Sequence, residues 1–290
     1  MRNKLPRRCF LKAATATGVA ITVTGFEAFD RQSSGASVGL VRTKWIIDSH
    51  VHLKHGDAAR TEYPPEVIVE TMDKAGITKS IVFAMSTTTK HSIEMARSAV
   101  EKYPDRLIPY VYALPHYERA VIREIEEVLS GKLFRGIKIH AGECTLADYV
   151  VDPVLKVAGK YNVPCLIDCA GNYATAKRMA EGFPETKLII AHMGRYLSTD
   201  KKLIDQFIGL AEDFSNVFLD VSGVVLVEMI EEAVHRIGST RLIWGTDGPH
   251  KKPDTVAFAR TELEKITRSI LSEKDRNNIL GQTVLNLLNL

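Results

Sequence analysis

The chain has 290 residues, 45% hydrophobic and 25% charged, an ordinary globular composition with enough apolar material for one large core. Its net charge of +3 arises in the first 36 positions, where Arg2, Lys4, Arg7, Arg8, Lys12 and Arg31 face only Glu27 and Asp30, so the remainder holds 32 basic against 33 acidic residues. That balance removes the electrostatic case for nucleic acid or an anionic membrane as main partner, and beyond the first segment no apolar run reaches the length of a spanning helix.

Arg7-Arg8-Cys9-Phe10-Leu11-Lys12 precedes a short, mildly apolar stretch from Ala13 to Val23. This closely resembles a twin-arginine export signal, down to the Phe-Leu-Lys after the arginine pair. Residues 1–36 are therefore expected to be a signal segment and spacer, with Ser34-Gly35-Ala36 as the small-x-small site of cleavage. Uncleaved, the segment would serve as a membrane anchor. The expected location is the periplasm or the outer face of the cytoplasmic membrane, with the twin-arginine machinery as partner.

From Lys44 onward, apolar β-branched runs alternate with helical patterns every 25 to 35 residues or so, the signature of repeated βα units. Strand one is expected over Trp45–Asp48. A helix opens at Pro64-Pro65-Glu66, carries Ile68, Met72 and Ala75 at helical spacing and ends at Gly76. Strand two covers Lys79–Ala84, a helix runs from Thr88 to Tyr103 and stops before Pro104, and strand three covers Leu107–Ala113. Val121, Ile125, Val128 and Leu129 form one face of the next helix, closed by Gly131. Strand four is Phe134–His140, followed by a helix to Tyr161 in which Asp152 is read as N-cap and Pro153 as first helical residue. Strands five to eight are Val163–Asp168, Lys187–His192, Asn216–Asp220 and Arg241–Asp247; helices are expected over Val225–Ile237 and Val256–Ile270, and Ser272-Glu273-Lys274-Asp275 opens the last one. Eight such units fit an α/β fold with a single (β/α)8 barrel over residues 44–290. No strict repeat, low-complexity tract or interior linker argues for a second domain.

Ionisable residues gather at the expected strand ends: His50 and His52 after strand one, Lys138 and His140 at strand four, Asp168 at five, His192 at six, Asp220 at seven and Asp247 at eight. His50 and His52 are two apart, so both imidazoles leave one face of a strand. Such a gathering of charge in one small volume opposes folding unless a cation compensates it. Of the cysteines, Cys9 lies in the leader and Cys144, Cys165 and Cys169 are too few for a disulfide framework. Cys165 and Cys169 have the opposite parity to Asp168 and read as small buried hydrophobes.

Ile47-Asp48-Ser49-His50-Val51-His52, Arg135-Gly136-Ile137-Lys138-Ile139-His140, Ile189-Ile190-Ala191-His192-Met193-Gly194 and Ile243-Trp244-Gly245-Thr246-Asp247 together resemble the amidohydrolase superfamily, in its amidohydrolase-related branch of metal-dependent hydrolases and decarboxylases. The resemblance implies a (β/α)8 barrel and one divalent metal, zinc by expectation, held by His50, His52 and Asp247, with Asp247 also the general base. It implies His192 as a further ligand or as the group that steadies the negative oxygen of a tetrahedral intermediate. Where the family usually ends strand five in histidine, this chain has Asp168, which is taken here as a fourth ligand; the Lys138 ammonium is expected to offset its charge directly. Lys138 also stands where related binuclear barrels carry a carboxylated lysine bridging two metals. A single metal per chain is the expectation.

The function expected from this resemblance is hydrolysis of a small C–N, C–O ester or lactone bond, with Lys138, His140 and His250 as candidates for holding the substrate. Decarboxylation of a small aromatic or enoic acid is the alternative within the branch. TatD-type nucleases share the His-x-His and a strand-eight Thr-Asp-x-Pro, but place glutamate where this chain has Lys138 and His140. A non-catalytic binding barrel is a third class. The expected partner is a small-molecule substrate and not a nucleic acid; a homo-oligomer is compatible with everything above.

Overall fold

The computed structural model describes residues 45–116 and 121–290. The arginine pair, the spacer to Ala36 and its cleavage site lie outside the described residues. Among the described residues no helix is long and apolar enough to cross a membrane.

Parallel strands dominate, as the continuous apolar runs require when both faces of a sheet are covered. β1 (Ile47–Lys54), β2 (Lys79–Ala84) and β3 (Leu107–Pro109) pair in that order. β4 (Val111–Tyr112), β5 (Ile137–His140), β6 (Cys165–Asp168), β7 (Leu188–Ile190), β8 (Val217–Asp220) and β9 (Leu242–Ile243) follow as a second parallel series. The expected third strand is split into β3 and β4, yet its backbone is continuous: Tyr110 N donates to Val82 O at 3.0 Å on one side and Val111 N to Gly136 O at 2.9 Å on the other. At the opposite seam Ser49 N donates to Trp244 O (3.2 Å) and His52 N to Gly248 O (2.7 Å), which closes the ring. Gly245 permits this approach, since a Cβ there would stand 2.8 Å from His50 Cβ.

Side-chain alternation divides the core into two. Ile47, Ile81, Phe83, Tyr110, Leu166, Ile189 and Ile243 fill the barrel interior. Val82, Ala84, Ile137, Ile139, Cys165, Ile167 and Leu219 face outward against the helices. Those helices are α1 (Pro65–Ala75), α2 (Thr89–Lys102), α3 (Ile122–Ser130), α4 (Asp148–Lys160), α5 (Tyr173–Gly182), α6 (Lys201–Asp213), α7 (Val227–Ile237) and α8 (Thr255–Thr267), then short α9 (Glu273–Asn277) and α10 (Thr283–Leu288). α1 begins with Pro65 and ends on left-handed Gly76; the Thr88 and Ser272 side chains accept from His91 N and Asp275 N, capping α2 and α9.

Three expectations are corrected. α4 starts at Asp148, so Pro153 lies inside the helix. Val150, Val151 and Val154 are buried on its inner face, which outweighs one lost backbone bond, and Asp152 pairs with Arg178 Nη1 at 2.7 Å instead of capping. β1 runs on to Lys54, placing His50 and His52 within the strand; its register against β2 shifts twice, between Asp48 and Val51 and between His52 and Lys54. β7 stops at Ile190, and His192 and Met193 turn into left-handed backbone (φ 59° and 47°). Helices α5 and α6 each carry a local start signal in the sequence: the Asn172 side chain accepts from Thr175 N, and that of Asp200 from Lys202 N and Leu203 N.

Candidate metal centre

The irregular stretch of β1 turns both of its histidines to the barrel mouth, with ring centroids 5.3 Å apart and both side chains buried. His52 Nε2 lies 2.9 Å and His50 Nε2 3.1 Å from Asp247 Oδ1. Asp247, just past β9, has left-handed backbone (φ 59°), a conformation that is uncommon for a residue with a side chain and needs its surroundings to hold it. The clamp is Asp48, whose Oδ1 accepts from Thr246 N (2.8 Å) and His50 N (3.2 Å) and whose Oδ2 accepts from the Thr246 hydroxyl (2.7 Å). That hydroxyl in turn accepts from Gly248 N at 2.9 Å. Both neighbours of Asp247 are thereby fixed to β1.

These donor atoms suit a divalent cation. Two imidazole nitrogens and one carboxylate oxygen converge within ligand distance of one another, and a tetrahedral site with bonds of about 2.0–2.2 Å would need them only slightly further apart. Burial lowers the pKa of His52 to about 3 and that of His50 well below its usual value, so both rings are neutral as ligands must be. Burial opposes the Asp247 charge, but His50, His192 and His52 together hold its carboxyl well below the usual carboxylate range. His52 Nδ1 is buried with no partner among the described residues.

The other expected residues surround this triad. His192 Nε2 stands 4.0 Å from Asp247 Oδ1 and 3.6 Å from Asp168 Oδ2. Burial would depress its pKa, but Asp247, Asp168 and Asp220 raise it to about 9, leaving it cationic at neutral pH. Asp168 lies outside the triad: Oδ2 is 3.1 Å from His140 Nε2, and Oδ1 accepts from Ala170 N at 2.8 Å. Lys138 makes no ion pair with it. Its Nζ, fully buried, donates instead to His50 Nε2 at 3.1 Å and lies over the Phe83 ring. The reason is register, because β5 sets Lys138 opposite Leu166 and His140 opposite Asp168. His250 Nε2 is 4.0 Å from Asp247 Oδ2, with its ring against Phe258. Cys165 and Cys169 are buried in the outer core, burial pushing the Cys169 thiol up to about 12.

Several groups at the site carried no assignment from sequence. Asp220 and Ser222 lie fully buried beneath His50 and His192. His55 stacks on His52 at 4.4 Å, and the Tyr196 ring meets His192 edge-on at 5.0 Å. Only the second of these pairs lacks a local cue; His52-x-x-His55 continues the histidine run. A cavity of about 220 Å³ opens over the centre, with His55, Asp57, Met85, Tyr196 and His250 around it and the triad, Lys138 and Asp168 below. The arrangement offers a triad of donor atoms suited to a divalent cation, an ionised carboxylate and a cationic imidazole to one small molecule.

A family model described as amidohydrolase matches residues 47–290. Among curated proteins none matches the chain. Of solved structures, a probable 2-pyrone-4,6-dicarboxylic acid hydrolase from Acinetobacter baumannii, with citric acid bound, superposes with a TM-score of 0.65 at 17% identity, covering 84% of this chain and 99% of that one. An amidohydrolase from Burkholderia multivorans with bound zinc gives 0.67 at 14% identity, covering 85% and 99%. A dihydroxybenzoic acid decarboxylase from Polaromonas sp., with manganese and the inhibitor 2-nitroresorcinol, gives 0.61 at 20% identity, covering 84% and 97%. At these identities the likeness is one of fold. The family match over nearly all of the described barrel identifies this chain as a member of the amidohydrolase family.

Proposed function

We propose that this protein is a metal-dependent hydrolase of a small C–N, C–O ester or lactone bond, with one zinc ion per chain held by His50, His52 and Asp247. The observation that carries this reading is the convergence of His50 Nε2, His52 Nε2 and Asp247 Oδ1 at the floor of an open cavity. A bound divalent cation would supply Lewis acidity there, polarising a substrate oxygen and acidifying water. Asp247 Oδ2, the oxygen turned away from the two histidines, is the proton acceptor. Cationic His192 faces the same point and can hold negative charge that develops on a substrate oxygen. An ammonium on Lys138 beside His50 Nε2 opposes a cation at that atom; burial lowers its pKa and so eases loss of the proton.

Decarboxylation is the second reading. The His140–Asp168 pair on the cavity wall favours it, since loss of carbon dioxide leaves a carbon that must be protonated and His140 could deliver that proton. Zinc- or manganese-loaded protein incubated with panels of lactones, esters, amides and small aromatic acids separates the two: hydrolysis releases acid, decarboxylation releases carbon dioxide. Bound metal with neither product would leave a binding barrel. Metal analysis should give a ratio near one per chain that Lys138→Met leaves unchanged; a ratio of two that falls on this substitution would indicate a bridging lysine.

The leader segment supports export to the periplasm or the outer face of the membrane. Replacing Arg7 and Arg8 together by Lys should retain the protein inside the cell, and normal appearance outside would remove the assignment.

A further inference from the structure

Asp220 ends β8 fully buried, and hydrogen bonds from three residues reach its carboxylate. Oδ2 takes one from His50 Nδ1 (3.1 Å), one from the backbone N–H of His192 (3.1 Å) and one from the Ser222 hydroxyl (2.5 Å); Oδ1 takes one from Ser222 N (3.2 Å). His192 Nδ1 lies 2.9 Å from the Ser222 carbonyl oxygen, and the Ser222 hydroxyl is within 3.0 Å of His192 Nδ1 and 3.3 Å of His50 Nδ1. Carboxylate and carbonyl oxygens only accept. Both Nδ1 atoms therefore carry protons, and both rings turn Nε2 toward the cavity. Lys138 Nζ, 3.1 Å from His50 Nε2, reports the same tautomer from the other side of that ring.

His50, His192 and Asp220 also place donor atoms within ligand distance of one another. Asp220 Oδ2 already accepts three hydrogen bonds and the Nδ1 atoms that face it carry protons, so this group is not a second ion site. Asp220 lies one layer beneath the His50–His52–Asp247 triad.

We propose that Asp220 is the positioning residue of the metal centre, fixing His50 in the single tautomer that presents a bare Nε2 to a divalent cation and holding the His192 ring in place beside it. It acts on His50 directly, and on His192 through that residue's backbone N–H and the Ser222 turn. The inference rests on the metal reading of the site. A carboxylate on Nδ1 also makes the opposite nitrogen more basic, and removal of such partners typically lowers metal affinity 10–100-fold.

The test is zinc titration of metal-free protein against a chromophoric chelator, with thermal unfolding of the same metal-free samples. Asp220→Asn keeps shape and one acceptor oxygen but loses charge; it should bind zinc roughly 10–100-fold more weakly than wild type. Ser222→Ala keeps the Ser222 carbonyl for His192 and removes only the hydroxyl, so a smaller weakening is expected. If Asp220→Asn lowers the melting temperature but leaves zinc affinity within about twofold, Asp220 is merely structural and the proposal fails. Should that variant not fold, Ser222→Ala decides, and unchanged affinity overturns it. Wild-type protein that binds no zinc would remove the metal reading itself.

Discussion

Asp247→Asn is expected to lower turnover by ~10²–10⁴, the range lost when a general base is removed, while the barrel stays folded. Asparagine is among the few residues that accept left-handed backbone readily, so φ 59° at this position adds little strain. Its amide oxygen can occupy the place of Oδ1 between His50 Nε2 and His52 Nε2, and part of the metal affinity should survive. What disappears is the proton acceptor at Oδ2. With substrate found, steady-state rates, metal content and thermal unfolding of the two proteins measured side by side provide the check. Comparable turnover in both would sink the role given to Asp247, whatever the metal content.

For stability, the largest effect expected is at Asp48. Truncation to Ala strips acceptors from two buried backbone amides, Thr246 N and His50 N, and from the Thr246 hydroxyl. At ~1–3 kcal/mol for each orphaned buried group, Asp48→Ala should cost about 3 kcal/mol or more and loosen the seam that holds Asp247. Asp48→Asn keeps the oxygen that serves both amides, and the Thr246 hydroxyl can rotate to accept from the new amide. Its cost should be far smaller. The sign of the pH dependence follows from burial, which raises the Asp48 pKa to about 7 against hydrogen bonds from Thr246 and His50 that lower it. The folded state then binds this proton more tightly than the unfolded chain, whose aspartate titrates near 3.9. Asp48's contribution is fully present below about pH 4 and is lost as pH rises through 7. Denaturant unfolding at several pH values should therefore show Asp48→Asn gaining on wild type between pH 4 and 7. A difference that stays flat would mean Asp48 is ionised throughout.

The barrel was legible along the chain because its strands and helices are written in local periodicity. Continuous β-branched runs marked β2 residue for residue, and the Pro65 and Gly76 boundaries set α1. The same period-two rule put His50 and His52 on one face and sent Cys165 and Cys169 to the other side from Asp168, since parity within a strand needs no knowledge of neighbours. Asp152-Pro153 misled because burial of the preceding valines, a tertiary effect, extended α4 over a proline that local rules place at a helix start.

What no local pattern could decide was which ionisable group stands beside which. Lys138 and His140 both point inward from β5, and only the pairing of that strand with β6 gives Asp168 to His140 and leaves Lys138 against His50. Asp220 was visible at a strand end, but its hold on His50 spans 170 positions and on His192 spans 28. The sequence by itself determined the order of strands and helices, the inward faces and the kinds of donor that reach the barrel mouth, while β1 and β7 took their ends from the fold. Register and barrel closure decided the pairs, because a hydrogen bond depends on ångströms between strands, and those are set by packing across the whole ring.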